Sequence, residues 1–322
     1  MNNNIKIFIW SWNTQSTNFK SNNFIKELKK CTHLADLIII GLQEDTLQST
    51  IIETLEKTLS EYNLVKQDTM LGWGITTLKK LKTDYEYCLR GLNIALFCKK
   101  TSKIQINNII IDKIVCLGLQ NYITFGKGAI VLNIDTNIGN LTFVNAHLPF
   151  SSKSIYNGER YKDLLWQSKC LNDIYIKVID KFGSNNIFLF GDLNFRVQIR
   201  NEDNATKIAT ELLKCDKRYY KELLLEADEL RLLQNYYKNT WGNLLEGIKN
   251  NGPLFLPTCK LKHGRSNDYN LDMFKLGKYN QRVPSWCDRI LYSNGKCIYY
   301  NRWEYGDMNL SDHSSVIGLF TM

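Results

Sequence analysis

The chain has 322 residues, 44% of them hydrophobic and 12% aromatic, enough to bury a large core and too apolar to be disordered by default. No apolar run reaches the ~18 residues that a membrane-spanning helix needs, MNNNIKIFIWSWN lacks the charged start and cleavage pattern of a signal peptide, and GLFTM carries no prenylated cysteine, so the expected location is the cytoplasm. Nine cysteines, an odd number without a C-x-x-C pair, suit reduced thiols, and a net charge of +9 from 41 basic and 32 acidic residues favours anionic partners, although a lysine-rich surface kept for solubility has the same sign.

Ile5–Trp12 and Leu37–Leu42 read as buried strands, with helical spacing of Ile, Leu and Phe in Asn23–Leu34 and Thr46–Leu59. Short β-rich runs follow at Asn93–Phe97, Ile104–Cys116, Ala129–Ile134 and Leu141–Asn145, the last two joined by the turn-forming DTNIGN. Glu159–Phe182 is a predicted helix, Ile187–Phe190 a strand, and Ala205–Leu233 two or three helices; strands return at Ile290–Tyr292, Ile298–Tyr305 and Val316–Phe320. Asn250–Arg282 has little periodicity and reads as a long loop, of a length that is usually functional or disordered. With no repeat and no Pro/Ser-rich linker, residues 1–322 are expected to form one domain.

Five apolar runs begin or end on a polar residue of catalytic type: IFIWSWN at Asn13, LIIIGLQE at Glu44, LTFVNAH at His147, IFLFGDLN at Asp192 and Asn194, and SDH before VIGLF. An unpaired carboxylate is costly inside a core, so this pattern predicts convergence at a sheet's rim, on water, a metal and a substrate. Gly191 permits a tight turn that presents Asp192 and Asn194 together, although an Asx-turn closing the strand explains G-D-x-N equally well on its own.

The order of motifs decides between them. WNT at Trp12–Thr14, GLQE at Gly41–Glu44, NAHL at Asn145–Leu148, GDLNFRV at Gly191–Val197, PTCK at Pro257–Lys260, RVPSWCDRIL at Arg282–Leu291 and SDHSSV at Ser311–Val316 resemble the motif series of the inositol polyphosphate 5-phosphatases, a branch of the metal-dependent endonuclease/exonuclease/phosphatase superfamily. The resemblance runs from Ile5 to Phe320 and implies an α/β fold: a four-layer α/β/β/α sandwich with two mixed sheets face to face, flanked by helices. It also implies Mg²⁺ as cofactor, with Glu44 as main ligand beside Asn13, and one firm carboxylate suffices for an ion that keeps several waters. Asp192 would deprotonate or orient the attacking water, Asn194 and His147 would hold phosphoryl oxygens, and His313, polarised by Asp312, would do likewise or assist the leaving oxygen. Asp288 and Arg289 look like supporting residues behind the site.

The family's long loop binds a neighbouring 4-phosphate. Lys260 and Arg282 match that pattern, whereas Cys259 stands where Tyr is usual and Asn280 where Lys is usual, which implies a weaker 4-phosphate preference. Lys127 in GKG resembles the lysine of the family's N-K-G and would meet a substrate phosphate, unless it is a solvated turn residue. Phe150 and Trp73 are candidate lipid-facing tips, while His33 and His263 match no motif. The implied substrate is an inositol phosphate or phosphoinositide, with peripheral contact to anionic membrane and no nucleic acid. Three rivals remain: a cysteine phosphatase built on the C-x5-R spacing of Cys259–Arg265, a metal-dependent nuclease of the same superfamily, and a catalytically silent phosphoinositide-binding relative.

Overall fold

The structure, a computed structural model, describes residues 5–17, 22–46, 49–72, 90–117, 123–150, 160–183, 185–198, 207–208, 210–212, 214, 216–262, 269, 283–303 and 310–322. One six-stranded sheet contains β1 (Lys6–Asn13), β2 (Leu37–Thr46), β3 (Tyr62–Leu71), β4 (Arg90–Lys99), β11 (Lys296–Arg302) and β12 (Val316–Thr321), in the order β11-β12-β1-β2-β4-β3. The other contains β5 (Ile106–Leu117), β6 (Ile123–Thr136), β7 (Gly139–His147), β8 (Ile187–Asp192), β9 (Leu245–Glu246) and β10 (Asp288–Tyr292), in the order β5-β6-β7-β8-β10-β9. Each sheet has one parallel pair at its middle, β1 with β2 and β7 with β8, and antiparallel neighbours elsewhere.

Strand parity sets the layers. Ile7 and Ile9 on β1 and Ile39 on β2 face inward and pack with Leu132, Phe143, Phe188 and Phe190 of the opposite sheet, while Phe8 and Trp10 point outward onto Leu28 of helix α1 (Asn22–Thr32) and Ile51 and Leu55 of α2 (Ile51–Thr58). On the far side, Val144 and Leu189 pack on Leu171, Ile174 and Val178 of α3 (Arg160–Phe182). The result is the expected four-layer α/β/β/α sandwich of two mixed sheets. Each fully buried Ile, Leu or Phe in these layers contributes roughly 1.5–3 kcal/mol. Among the described residues no helix is long and apolar enough to cross a membrane.

Three elements differ from expectation, one of them the short β9, which the sequence reading does not contain. The helix predicted over Thr46–Leu59 starts only at Ile51, because β2 continues through Glu44 to Thr46. Strand β3 has no counterpart in the sequence reading: it is an edge strand whose middle residues Val65, Lys66 and Gln67 are exposed next to a register shift between Leu64 and Lys66, so its pattern does not alternate. Within Ala205–Leu233 lie α4 (Lys217–Glu226) and α5 (Glu229–Gln234).

Behind the second sheet sits a dry ion cluster. Arg289 of β10, fully buried, donates to Glu246 of β9 from Nε (2.6 Å) and Nη2 (2.5 Å) and to both oxygens of Asp228 (3.0 and 3.1 Å), the residue that caps α5. Tyr300 of β11 donates to the same Glu246 at 2.8 Å. One guanidinium thereby ties β9, β10 and a helix start together.

Gly191 is a close-approach position. Its φ is +134°, and a Cβ there would lie 1.9 Å from the Ala146 carbonyl oxygen of the paired strand. Gly191→Ala is expected to cost about 3 kcal/mol or more, read as a shift in the urea midpoint; a loss under about 1 kcal/mol would show that the strand ends relax freely.

Candidate active site

The parallel pairs end at one rim. β1 ends at Asn13, β7 at His147 and β8 at Asp192, with Asp192 in register beside His147. Asn13 of one sheet reaches the other, its Nδ2 donating to Asp192 Oδ2 at 2.9 Å. His147 Nε2 lies 3.3 Å from the same oxygen, and the Asn194 backbone N–H donates to Asp192 Oδ1 at 3.1 Å. Deeper in, Gln43 of β2 donates from Nε2 to Asn145 Oδ1 of β7 at 2.7 Å, and Asn145 Nδ2 donates back to the carbonyls of Leu42 and Asn93 at 3.0 and 2.9 Å. These fully buried amides join the two sheets just below the site.

Glu44 reaches the rim through a bulge. Gln43 pairs with Leu92 and Asp45 with Gly91, so Glu44 is the extra residue, with φ +50°. Bulges re-aim a side chain, and Glu44 is the partly exposed member between two buried neighbours. Its Oε2 accepts from Arg90 Nη1 at 2.7 Å. Asn194 has φ +57°. Left-handed backbone at non-glycine residues costs of order 1–3 kcal/mol and clusters at functional sites.

His313 lies under the same carboxylate, its Nε2 3.9 Å from Asp192 Oδ2. Its placement corrects one expectation: Nδ1 meets Asp288 Oδ2 at 2.8 Å, whereas Asp312 Oδ1 stands 3.8 Å from Nε2. Asp288 Oδ2 is fixed in turn by Thr258 Oγ1 at 2.7 Å. Asp312 accepts from Lys260 Nζ at 2.5 Å. Ser311 Oγ donates to the Asn13 carbonyl at 2.7 Å and accepts from the His313 N–H at 3.1 Å, which ties the SDH turn to the end of β1.

The charges divide sharply. Burial would lift the Asp192 carboxyl, but His313 and the His147 contact outweigh it and hold it below the usual range. Burial also opposes ionisation of Glu44, and His147, Lys127 and Arg90 reverse that, so Glu44 is held low as well. Burial pushes His147 and Lys127 down, and these two bases face each other, Lys127 Nζ meeting His147 Nε2. Burial would lower His313 too, yet Cys259, Asp288 and Asp192 keep its imidazolium well above the ordinary histidine range, while burial lifts Asp288 to about 6. A histidine raised in this way contributes stability fully present below its unfolded value near 6.5 and lost as pH rises through the folded value. Asp288→Asn is therefore expected to move the alkaline fall in stability to lower pH; an unchanged alkaline limb in the urea midpoints would assign the imidazolium to its other neighbours, Cys259 and Asp192.

Two further side chains sit differently from the sequence reading. Asn194 donates from Nδ2 to the Leu148 carbonyl (3.0 Å) and accepts at Oδ1 from Arg196 Nη2 (2.8 Å), so it braces the turn around Asp192. Cys259 is fully buried, with Arg196 Nη1 donating to its Sγ at 3.3 Å, and offers no surface to a substrate. Arg196, which the sequence reading left unassigned although it lies in GDLNFRV, is buried and stacks over the Phe150 ring at 4.4 Å; this ring contact is the structural partner of the proposed lipid-facing tip. Arg289 belongs to the ion cluster behind the sheet. His33 lies exposed at the end of α1. Arg282, Asn280, His263, Arg265 and Trp73 lie outside the described residues.

The donor set fits a hard divalent cation. Glu44 supplies an ionised carboxylate and Asn13, in register with the neighbouring Gln43, an amide oxygen, since its NH₂ is turned to Asp192; all-oxygen ligands suit Mg²⁺ or Ca²⁺. Asp192, Asp288 and His313 also bring potential ligand atoms within 4.8 Å of one another, but the Asp288–His313 hydrogen bond satisfies that corner internally.

Comparisons with known proteins give the family and the fold. The profile described as Endonuclease/Exonuclease/phosphatase family 2 matches residues 10–319. The chain is 27% identical over 299 residues to phosphatidylinositol 3,4,5-trisphosphate 5-phosphatase 1 of Xenopus laevis, covering 88% of this chain and 26% of that protein, and 28% identical over 338 residues to phosphatidylinositol 3,4,5-trisphosphate 5-phosphatase 2 of Canis lupus familiaris, covering 98% and 24%. It thus spans about a quarter of the length of these curated relatives. Among solved structures, the inositol polyphosphate 5-phosphatase domain of spSynaptojanin, in complex with inositol (1,4)-bisphosphate and calcium ion, superposes with a TM-score of 0.66 at 20% identity over 99% of this chain and 84% of that one. A nitrophorin from Cimex superposes with 0.63 at 18% identity over 99% and 98%. Likenesses this distant establish the fold, and two such different proteins on it leave the chemistry to the side chains.

Proposed function

The chain belongs to the Endonuclease/Exonuclease/phosphatase family 2, and from that membership we propose that it hydrolyses the 5-phosphate of inositol phosphates or phosphoinositides, with Mg²⁺ as cofactor, by in-line attack of water. The observation that carries this reading is the convergence on Asp192 of Asn13, His147, Asn194 and His313, with Glu44 on the adjoining strand. Held by Glu44 and Asn13, a divalent cation would polarise a phosphoryl oxygen. Asp192 is too acidic for a strong base, so its role is to accept a hydrogen bond from the attacking water and aim it. His313, with Nδ1 engaged by Asp288, presents a cationic Nε2–H to a phosphoryl or leaving oxygen. Burial lowers the basicity of Lys127 and His147, and an entering phosphate beside them would favour their charged forms.

The +9 charge supports contact with anionic substrates and membrane surfaces, and the free thiols suit the cytoplasm. With Cys259 buried and Lys260 committed to Asp312, the 4-phosphate preference should be weak: removing the 4-phosphate is expected to lower kcat/KM by less than roughly tenfold. A hundredfold loss would show that the described residues understate the pocket.

The deciding experiment is product identification with soluble inositol 1,4,5-trisphosphate and with phosphatidylinositol 4,5-bisphosphate vesicles, each with Mg²⁺ or EDTA. Loss of the 5-phosphate only with Mg²⁺ supports the proposal. Cleavage of plasmid DNA without inositide turnover would make the chain a nuclease, and vesicle binding without turnover a silent relative. The C-x5-R thiol mechanism predicts EDTA-resistant activity abolished by thiol alkylation.

A further inference from the structure

We propose that Cys259 and Cys287 form an oxidisable dithiol site beneath the catalytic floor, where a hydroperoxide-class oxidant joins the two sulfurs in a disulfide. The two residues come from segments paired through backbone bonds between Cys259 and Ser285: Cys259 N–H donates to the Ser285 carbonyl (3.1 Å) and Ser285 N–H returns to the Cys259 carbonyl (2.7 Å). Both are fully buried, each thiol shifts the other's ionisation, and Cys287 Sγ donates to the Phe195 carbonyl at 3.5 Å. The pair sits directly under the site, since Cys259 is bridged to His313 on one side and touched by Arg196 on the other.

Charge balance assigns the sulfurs different roles. Arg196 is 4% exposed and forms no ion pair with a carboxylate among the described residues, while its Nη1 donates to Cys259 Sγ at 3.3 Å. A buried guanidinium demands a counter-charge; the Cys287 and Cys259 sulfurs and Asp192 all act on Arg196, and of the two sulfurs Cys259 Sγ is the one that accepts its hydrogen bond. Burial alone would raise this thiol; the Cys287 hydrogen bond, His313 and Arg196 pull it well below its ordinary value, and burial and Cys259 push Cys287 up. An anionic sulfur beside a protonated one is the arrangement of an attacking and a resolving thiol. The chain offers a contrast in Cys116, which bonds Cys170 but is pushed up by that bond and by burial, and stays a thiol.

The chemistry balances with one peroxide. The Cys259 thiolate attacks a peroxide oxygen, the O–O bond breaks, and the departing hydroxide takes a proton to leave as water, giving a sulfenic acid. The Cys287 sulfur then attacks the sulfenyl sulfur, the S–O bond breaks, and hydroxide leaves as a second water with the Cys287 proton. Two thiols lose two electrons to the peroxide. Hydrogen peroxide is water-sized and can reach the pair through local opening. The disulfide removes the anion facing Arg196 and His313, and Arg196 holds Asn194 in place. The expected effect on rate rests on the phosphatase reading; the cross-link does not.

The full chain is treated with hydrogen peroxide, its remaining thiols are alkylated, and its peptides are mapped by mass. A linked Cys259–Cys287 peptide lacking two hydrogen atoms is expected, with inositide turnover lowered roughly tenfold or more and regained on adding dithiothreitol. In Cys287→Ser, dimedone should capture a sulfenic acid at Cys259 without a cross-link. Linkage only of other cysteines, such as Cys116 with Cys170, or no dimedone adduct at Cys259, overturns the site. Full turnover by the cross-linked protein overturns its connection to catalysis, whereas untreated protein inactive on every inositide refutes the phosphatase reading and leaves the linked peptide to decide this one.

Discussion

Asp192→Asn is expected to lower kcat for inositol phosphate hydrolysis roughly 10³-fold with little change in KM. Asp192 accepts at Oδ2 from Asn13 and at Oδ1 from the Asn194 N–H, and it lies against His147. An amide of the same shape can preserve only one of those acceptor roles, because its NH₂ must face a donor. It also removes the negative charge that offsets His313. Water would lose its acceptor, and the substrate would keep most of its binding groups. The folded state should survive, since only one edge of the site changes; the melting temperature and near-ultraviolet circular dichroism check this. A variant that keeps more than a tenth of the wild-type kcat would exclude Asp192 from acting on the water.

The second large effect is on stability. Arg289→Met should cost about 3–5 kcal/mol at neutral pH, because it leaves buried Asp228 without its cation and Glu246 with only Tyr300 and a more distant Arg231, 3.9 Å away. The pH dependence should also change. In the native chain burial would raise Glu246, but Arg289 overrides it and holds Glu246 low, so its contribution is present above the unfolded glutamate value near 4.3 and lost as pH falls through the folded value. Without the guanidinium, burial raises both carboxyls, and mild acidification relieves the penalty. Burial keeps Asp228 raised even beside Arg289, so urea midpoints at pH 5 and pH 7.5 should show the variant gaining more stability on acidification than the native chain does. Equal midpoints at both pH values in the variant would mean that water enters the cluster.

How much of this was legible in the sequence depends on what periodicity encodes. The buried strands announced themselves because β1, β2, β7 and β8 are apolar runs with an abrupt polar end, and that discontinuity is the physical signature of a chain leaving a core. β3 stayed hidden, since an edge strand with one partner and a wet face needs no alternation. Site residues were named through the motif series, yet their partners were not. Asp312 adjoins His313 in sequence, whereas Asp288 reaches it from a different sheet through β10. Neighbours along an extended chain point to opposite sides, so adjacency argued for the wrong carboxylate. Cys259 looked like a recognition residue by position; only its pairing with Ser285 reveals that it faces inward. Arg196 lay in plain view inside a motif without a role, because a guanidinium's function depends on what lies over and under its plane.

The amides of Gln43 and Asn145 have a consequence for how the reaction is timed and placed. Greasy side chains between two plates hold them together but barely resist sliding, because dispersion has little directional preference. Hydrogen bonds do have direction, and these two residues act as dowels that index one plate against its counterpart. Exchanging both for leucine could leave the molecule as hard to melt as before and still blunt its chemistry, since nucleophile and electrophile would be carried by parts that no longer share a common origin.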